Sequence, residues 1–164
     1  MKRIIGIILL IMAFTLTLSG CSKNNNTADA LDAAPWYTSS RIVGFYFYYP
    51  SGSLSDSDYL ITKEGHNYIV TVNSMVKNPE TTEISEQELE ELNDILFDYG
   101  VYKWDGFSKT LPITLLTSAN NRFTIRVIYE NYATISAQGD HVFPEGYSDA
   151  ENAILDFFRD IFAD

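Results

Sequence analysis

Apolar and polar residues alternate in several segments of the chain, which is the pattern of β-strands with one buried face. Residues 42–49 place Val43, Phe45 and Phe47 on one face, and the segment ends at Pro50. The same kind of pattern predicts strands at residues 59–63, 68–76, 113–117, 123–129 and 132–138. Glycine and asparagine between the second and third of these strands favour a hairpin.

Two helices are predicted from capping signals followed by apolar residues at helical spacing. Ser85 is the N-cap of the first, and Glu88 lies three residues later, where a capping box requires a carboxylate. Leu89 and Leu92 begin its apolar face, and Gly100 ends it. The same signals predict a second helix from Ser148 and Glu151, with apolar residues Ala150, Ile154, Phe157, Phe158 and Ile161.

The order of these elements is three strands and a helix, followed by three more strands and a helix. This βββα-βββα order indicates an α+β fold in which two helices pack on an antiparallel sheet. Residues 41–164 are enough for one hydrophobic core and too few for two of ordinary size, so we predict a single globular domain. Phe and Tyr favour strands and their packed faces, so we expect an aromatic core.

The first 20 residues have the parts of an export signal. Lys2 and Arg3 precede an apolar run at residues 4–18, which is too short to span a bilayer comfortably. The run ends in Leu-Ser-Gly-Cys at positions 18–21, a sequence that resembles the lipobox read by the lipoprotein signal peptidase. We therefore predict that residues 1–20 are a lipoprotein signal peptide, cleaved before Cys21.

The lipobox resemblance implies that Cys21 is lipidated and that the membrane is a partner of the protein through this lipid. We expect the protein on the cell membrane, facing the extracytoplasmic side. Residues 21–40 are mostly small and polar and predict a flexible tether between the lipid and the domain. Because Cys21 is the single cysteine, no thiol remains for a disulfide, a metal or a nucleophile.

The charge of the chain excludes one class of partner. The chain has 11 Lys and Arg residues against 22 Asp and Glu residues, a net charge of −11. Removal of residues 1–20 takes away two of the basic residues and none of the acidic ones, which lowers the net charge to −13. Affinity for a phosphate backbone comes mostly from cations, so we expect no nucleic-acid partner.

Several short motifs are distinctive as a set. They are ELEELNDIL at positions 88–96, WDGF at 104–107, ISAQG at 135–139 and FPEGY at 143–147. With these motifs, residues 42–162 resemble a family of uncharacterised lipoprotein domains from anaerobic Gram-positive bacteria. The resemblance implies the fold and the envelope location, and no activity. After Glu130 and Asn131, Tyr132 stands where this resemblance leads us to expect a glycine.

The residues that usually carry catalysis or bind metals are sparse. His66 and His141 are the two histidines, and both lie in predicted loops, where solvated side chains are more common than catalytic ones. The histidines have no ligand spacing, and the cysteine is the predicted lipid site, so we predict no metal site. We also predict no cofactor and no catalytic residue.

Trp104, Asp105 and Phe107 are the most suggestive cluster for binding. An aromatic pair beside a carboxylate can stack on a sugar ring or hold a peptide. The structural alternative, which we favour, is that Trp104 closes the core while its indole N–H donates to a buried acceptor. A second aromatic surface would form from Tyr46, Tyr48 and Tyr59 if the helices leave their face of the sheet open.

Three functions fit these features. The leading hypothesis is a non-catalytic, membrane-anchored domain that binds an envelope protein or a glycan through its sheet or the loops near Trp104. One alternative is an extracytoplasmic hydrolase that acts on cell-wall polymer or glycan through carboxylates. A third is an inhibitory or protective module of the envelope. An open aromatic sheet face would favour binding, and a pocket of carboxyl groups with raised pKa values would favour an enzyme.

Overall fold

The computed structural model describes residues 40–49, 57–74, 77–111 and 121–163. By its internal contacts the chain divides into two units, Met1–Ala33 and Ala34–Asp164, and all the described residues belong to the second. The predicted signal peptide, Cys21, all but the last residue of the tether, and the predicted strand at 113–117 lie outside the described residues.

The described residues form one seven-stranded sheet with two α-helices, which confirms the predicted α+β class. The strands lie in the order β4-β3-β2-β1-β6-β7-β5, and every neighbouring pair is antiparallel except β5 and β7, which are parallel. The strands are β1 (Ile42–Tyr49), β2 (Ser57–Glu64), β3 (Asn67–Ser74), β4 (Glu80–Ile84), β5 (Ser108–Thr110), β6 (Arg122–Tyr129) and β7 (Thr134–Asp140). The helices are α1 (Glu86–Asp98) and α2 (Tyr147–Ile161), and a 3₁₀ helix (Val101–Trp104) follows α1.

Both helices pack against the same face of the sheet. The ring of Phe158 in α2 lies 5.6 Å from that of Phe45 and 4.6 Å from that of Tyr59, measured between centroids. From α1 the core receives Leu89, Leu92 and Leu96, and the sheet contributes a row of buried side chains that includes Phe47, Ile61, Val70, Phe123, Ile125, Val127 and Ile135. We call this the core face and the opposite side of the sheet the outer face.

The predicted caps of α1 are confirmed. The Ser85 hydroxyl accepts a hydrogen bond from the backbone N–H of Glu88 at 3.2 Å, and the Glu88 carboxylate accepts one from the backbone N–H of Ser85 at 2.6 Å. Gly100 follows the helix in the left-handed region, with a φ of 68°. The predicted hairpin between β2 and β3 is also present, with Gly65 at a φ of 66°.

A β-bulge in β1 changes which side chains enter the core. Ile42 is paired with Tyr129 and Gly44 with Ile128, so Val43 is an extra residue in the ladder. The bulge turns Ile42 into the core, where it is 1% exposed, while Val43 is half-buried at the outer face. The prediction that Val43 shares a face with Phe45 is therefore wrong, because strict alternation does not hold across a bulge.

Two strands and one helix start differ from the sequence predictions. β4 and β5 were not predicted, because they are short and polar and their strand conformation depends on pairing with β3 and β7. The second helix begins at Tyr147 after Gly146, whose φ is 75°, so a capping box at Ser148 is wrong. The helix begins at Tyr147 because the buried ring of this residue packs 4.7 Å from that of Phe123, which places Tyr147 in the first turn.

The hairpin between β6 and β7 has a three-residue loop with a strained end. The backbone N–H of Tyr132 donates to the carbonyl of Tyr129 at 2.9 Å, and that of Ala133 donates to the Asn131 side chain at 3.0 Å. Tyr132 has a φ of 67° and is 91% exposed. Glycine normally occupies this position of a three-residue hairpin loop, because other residues meet a steric penalty in the left-handed region.

Replacing Tyr132 by glycine should therefore stabilise the domain. The left-handed conformation costs a non-glycine residue about 1–2 kcal/mol, and the greater freedom of glycine in the unfolded chain offsets part of this gain. We expect Tyr132→Gly to raise the free energy of unfolding by about 1 kcal/mol, measured by urea denaturation. Tyr132→Ala is the matched control, because it removes the ring and keeps the strain. An equal gain in both variants would show that backbone strain is not the cause.

Candidate functional site

Trp104 lies beneath the surface of the described domain. It is 4% exposed, and its indole N–H donates a hydrogen bond to the backbone carbonyl of Glu145 at 3.2 Å. Its ring lies 5.7 Å from that of Tyr147 and 6.4 Å from that of Phe123. This is the arrangement that the structural alternative describes, in which the indole closes the core and a backbone carbonyl satisfies its N–H.

The residues that follow Trp104 attach their loop to β7. The Asp105 carboxylate accepts a hydrogen bond from the backbone N–H of Ser136 at 2.9 Å, and the half-buried ring of Phe107 lies 6.0 Å from that of Phe123. Trp104, Asp105 and Phe107 thus contribute to packing and loop geometry, and a ligand-binding role for them stays a prediction. Truncation of a buried tryptophan costs about 3–5 kcal/mol, so a variant at Trp104 would test stability first.

The three tyrosines predicted as a platform do not share one face of the sheet. Tyr59 is paired with Phe47 and lies on the core face, where it stacks on Phe158. Tyr46 and Tyr48 alternate with the core residues of β1 and therefore lie on the outer face. A platform that joins Tyr59 to the other two is wrong, because the register between β1 and β2 sets Tyr59 opposite a core residue.

The outer face carries an apolar centre with polar margins. Strand registers place one row of residues across the sheet as Ile69, Thr62, Gly44, Ile128 and Thr134, and the next as Thr71, Leu60, Tyr46, Arg126 and Ser136. Apart from the exposed Arg126, the central members of both rows are half-buried, although both described helices pack on the other face. Burial and, second, the nearby Asp58 carboxylate raise the pKa of the Tyr46 hydroxyl.

A depression forms where Gly44 leaves a gap in the outer face. It measures about 660 Å³, and the side chains of Val43, Tyr46, Leu60 and Ile128 surround the gap. A side chain at Gly44 would lie in ordinary contact with Ile128, since a Cβ built there is 3.4 Å from its Cδ1. The Ile128 side chain therefore borders the gap closely, and the depression lies among it, Val43, Tyr46 and Leu60. We call it the Gly44 depression.

Arg126 gives the Gly44 depression a positive charge. It is exposed, lies directly opposite Tyr46 in the ladder, and forms no ion pair with any other described residue. Lys63 also borders the depression, but its ammonium lies 5.2 Å from the centroid of Tyr68 on the core side of the sheet. None of the described residues that line the depression is acidic, in a chain with a net charge of −11.

In two other concave regions of the described domain, cations lie beside acidic side chains. A groove of about 480 Å³ lies between α2 and the ends of β1 and β2, with the Tyr59–Phe158 stack in its wall. Its cations lie near acids, because Arg159 donates to Asp156 at 2.5 Å and Glu80 borders the same groove. A polar cleft of about 410 Å³ lies between α1 and Arg41, which forms an ion pair with Glu86 at 2.6 Å.

The two histidines have different surroundings. His66 is exposed in the turn between β2 and β3, as expected for a solvated loop residue. His141 is mostly buried, with its Nδ1 2.7 Å from the Asp140 carboxylate and its backbone at a φ of 59°. The hydrogen bond from His141 and the ion pair with Arg122 hold the pKa of Asp140 below its ordinary value. The expectation of a solvated side chain is therefore wrong for His141.

Glu151 is the carboxyl group that the fold shields most clearly. Burial raises its pKa above the ordinary value of 4.5, while contact with the Tyr147 hydroxyl acts in the opposite direction. Tyr49 also lies close enough for the Glu151 charge to raise the pKa of its hydroxyl, after the larger effect of burial. A carboxylate-dependent glycan hydrolase needs two carboxyl groups, one on either side of the glycosidic bond. The groups shown to interact with Glu151 are the hydroxyls of Tyr147 and Tyr49.

Comparisons with known proteins add no relative to this picture: no family model, no curated protein and no solved structure matches the chain. Among the described residues, no cluster of three or more potential metal ligands occurs, and no helix is long and apolar enough to cross a membrane.

The Gly44 depression is the candidate site, and the sequence patterns did not predict it. The signal in the sequence is Gly44, a glycine inside a predicted strand that has apolar residues on both faces. A glycine within a strand often marks a bulge or a site where a ligand or another backbone approaches closely.

The shielded carboxyl predicts a dependence of stability on pH. Because the pKa of Glu151 is raised in the folded state, folding favours its protonated form, and this contribution is lost as pH rises above 4.5 through the folded-state pKa. Glu151→Gln should therefore be more stable than wild type at pH 7, and the difference should vanish below about pH 4.5. Thermal unfolding across this pH range measures the effect. A variant less stable than wild type at pH 7 would contradict it.

Proposed function

We propose that this protein is a membrane-anchored lipoprotein of the extracytoplasmic side that binds an envelope protein or glycan through the outer face of its sheet. The observation that carries the proposal is the Gly44 depression, an apolar hollow on the face opposite both described helices, beside Arg126, which forms no ion pair with another residue of the described ranges. Exposed apolar surface with a polar border is typical of interaction sites.

The chemistry of the outer face favours a partner with an apolar or aromatic group next to a negative charge. Val43, Leu60 and Ile128 offer apolar contact to such a group, and Tyr46 adds an aromatic ring with a hydroxyl. Arg126 complements a carboxylate or phosphate, and it also stacks on aromatic rings. The threonines and serines at the margins supply hydrogen bonds around the apolar centre, which is the usual anatomy of a transient interface.

Membrane anchoring depends on a single thioether at Cys21, so one substitution tests it. We expect Cys21→Ser to abolish incorporation of a palmitate analogue and to release the exported domain from the membrane fraction. Ser22→Ala is the matched control, because it changes the neighbouring residue and keeps the thiol. Continued labelling of Cys21→Ser, or an unmodified Cys21 in the native product by mass spectrometry, would contradict the anchor.

A charge on the outer face tests the binding surface. The exported chain from Ser22 is immobilised and exposed to solubilised envelope of the producing cells, and each captured component is then tested for direct binding to the purified domain. Leu60→Glu should weaken that binding by at least tenfold, about 1.4 kcal/mol, because it buries an unpaired charge in the interface.

Thr81→Glu is the matched control for this experiment. Thr81 lies on the same face of the sheet in β4, three strands from β1, so the added charge is equal and its place is remote from the depression. Both variants are compared with wild type by circular dichroism and thermal unfolding. Equal binding by folded Leu60→Glu and wild type would remove the outer face as the binding surface.

A further inference from the structure

We propose that the ligand of the outer face is an uncharged glycan, which stacks on Tyr46 and forms hydrogen bonds with a row of polar side chains that includes Asp58. This row, which we call the polar row, crosses the sheet next to Tyr46 on the side away from Gly44. The inference deepens the proposed function and rests on it, because it names the ligand class of the same face. The strand registers place in the polar row Asn73, Asp58, Tyr48, Thr124 and Gln138.

The first support is the chemistry of the polar row. Each member has a side chain that forms hydrogen bonds, since the row contains one carboxylate, two amides and two hydroxyls. The members on β3, β2, β1 and β6 are half-buried, and Gln138 on β7 is exposed and donates to the Ser108 hydroxyl at 3.1 Å. Five adjacent strands span about 19 Å, so the row is long enough to contact several sugar units in succession.

The second support is a carboxylate oxygen that lacks a donor. The Oδ1 atom of Asp58 is buried and accepts no hydrogen bond from the residues that the structure describes. A buried acceptor without a donor destabilises the domain, and such groups in native proteins call for an explanation. Asp58 as a whole is half-buried, which places it at the surface of the outer face. A ligand hydroxyl supplies the donor that the described residues do not.

The third support is an aromatic ring beside this acceptor. Tyr46 lies on the same face as Asp58 and is half-buried. Burial and, second, the charge of Asp58 raise the pKa of the Tyr46 hydroxyl, so the two side chains are close together. A sugar ring has an apolar C–H face and hydroxyls at its edge. The tyrosine ring packs against the first, and the carboxylate accepts hydrogen bonds from the second.

The charge balance of this surface favours an uncharged ligand. In the polar row and the row of Tyr46 together, Asp58 is the one acidic residue and Arg126 is the one basic residue. A polyanion or a polycation would find one opposite charge and one like charge there. An extended peptide usually binds by adding a strand at the edge of a sheet, where backbone groups are open. On the face of the sheet the backbone groups are paired in the ladders, and side chains alone are offered.

Binding of uncharged sugars tests the inference. The full-length protein is purified in detergent and titrated with chitotetraose, cellotetraose, maltotetraose, mannotetraose and the neutral polysaccharide fraction from the envelope of the producing cells. We expect at least one of these probes to bind. Added sodium chloride should leave the affinity within about twofold, because screening acts on interactions between charges and the ligand has none.

Asp58→Asn is the variant that separates ligand binding from a structural role. It keeps the size of the side chain and removes the charged acceptor, so the affinity for the bound probe should fall about tenfold or more. Thermal unfolding of the ligand-free variant should occur at the wild-type temperature or above it, because Oδ1 has no bond to lose among the described residues. A purely structural role for Asp58 would instead lower the unfolding temperature and leave the affinity unchanged.

Two further variants complete the experiment. Glu83→Gln is the matched control, because it removes the same charge from the same face in β4, two strands from Asp58, and it should bind as wild type does. Tyr46→Leu removes the ring and keeps an apolar side chain, and it should also weaken binding about tenfold or more. Circular dichroism shows that each variant is folded.

The outcomes separate this inference from the proposed function. Failure of every probe to bind wild type overturns the inference, and so does wild-type affinity in folded Asp58→Asn. Tyr46→Leu is judged by the same criterion if Asp58→Asn does not fold. Loss of binding in both variants but not in Glu83→Gln supports the inference. If no glycan binds while Leu60→Glu weakens binding of a captured protein, the inference fails and the proposed function stands.

Discussion

The structure depends on one hydrophobic layer between the core face of the sheet and the two helices. Phe45 and Phe47 of the central strand meet Phe158 of α2, and the leucines of α1 fill the rest of the layer. Each fully buried large apolar side chain contributes about 1.5–3 kcal/mol, and the single cysteine at position 21 leaves no pair for a disulfide. Burial on the core face of the sheet is thus the main source of stability, and the outer face is only half-buried at its centre.

The candidate site follows from this asymmetry and from the bulge in β1. The same local distortion turns Ile42 into the core and leaves Val43 and Gly44 at the outer face. The distortion therefore adds an apolar side chain to the core and opens a hollow on the other side of the same strand. A binding surface of this kind requires no catalytic residues. Its chemistry depends on which side chains the pleat of the strands directs to the outer face.

Three local features depart from what stability alone would favour. Tyr132 occupies a left-handed position at a hairpin tip, Glu151 is half-buried beside tyrosines, and His141 is half-buried with a left-handed backbone next to Asp140. Proteins tend to break local rules at functional or strained positions. None of the three lines the Gly44 depression, so the candidate site is separate from these features.

The sequence by itself determined the elements whose signals are local. The capping box of Ser85 and Glu88, the glycine that ends α1, the β2–β3 hairpin and the alternating strands that fall within the described residues all depend on neighbours within a few residues, and each of these is present. Tertiary structure alone decided the rest. Strand pairing made β4 and β5, register put Tyr59 on the core face, packing of Tyr147 set the start of α2, and a one-residue bulge created the Gly44 depression. These outcomes depend on residues far apart in the chain, and no local pattern records which distant strand or ring a side chain will meet.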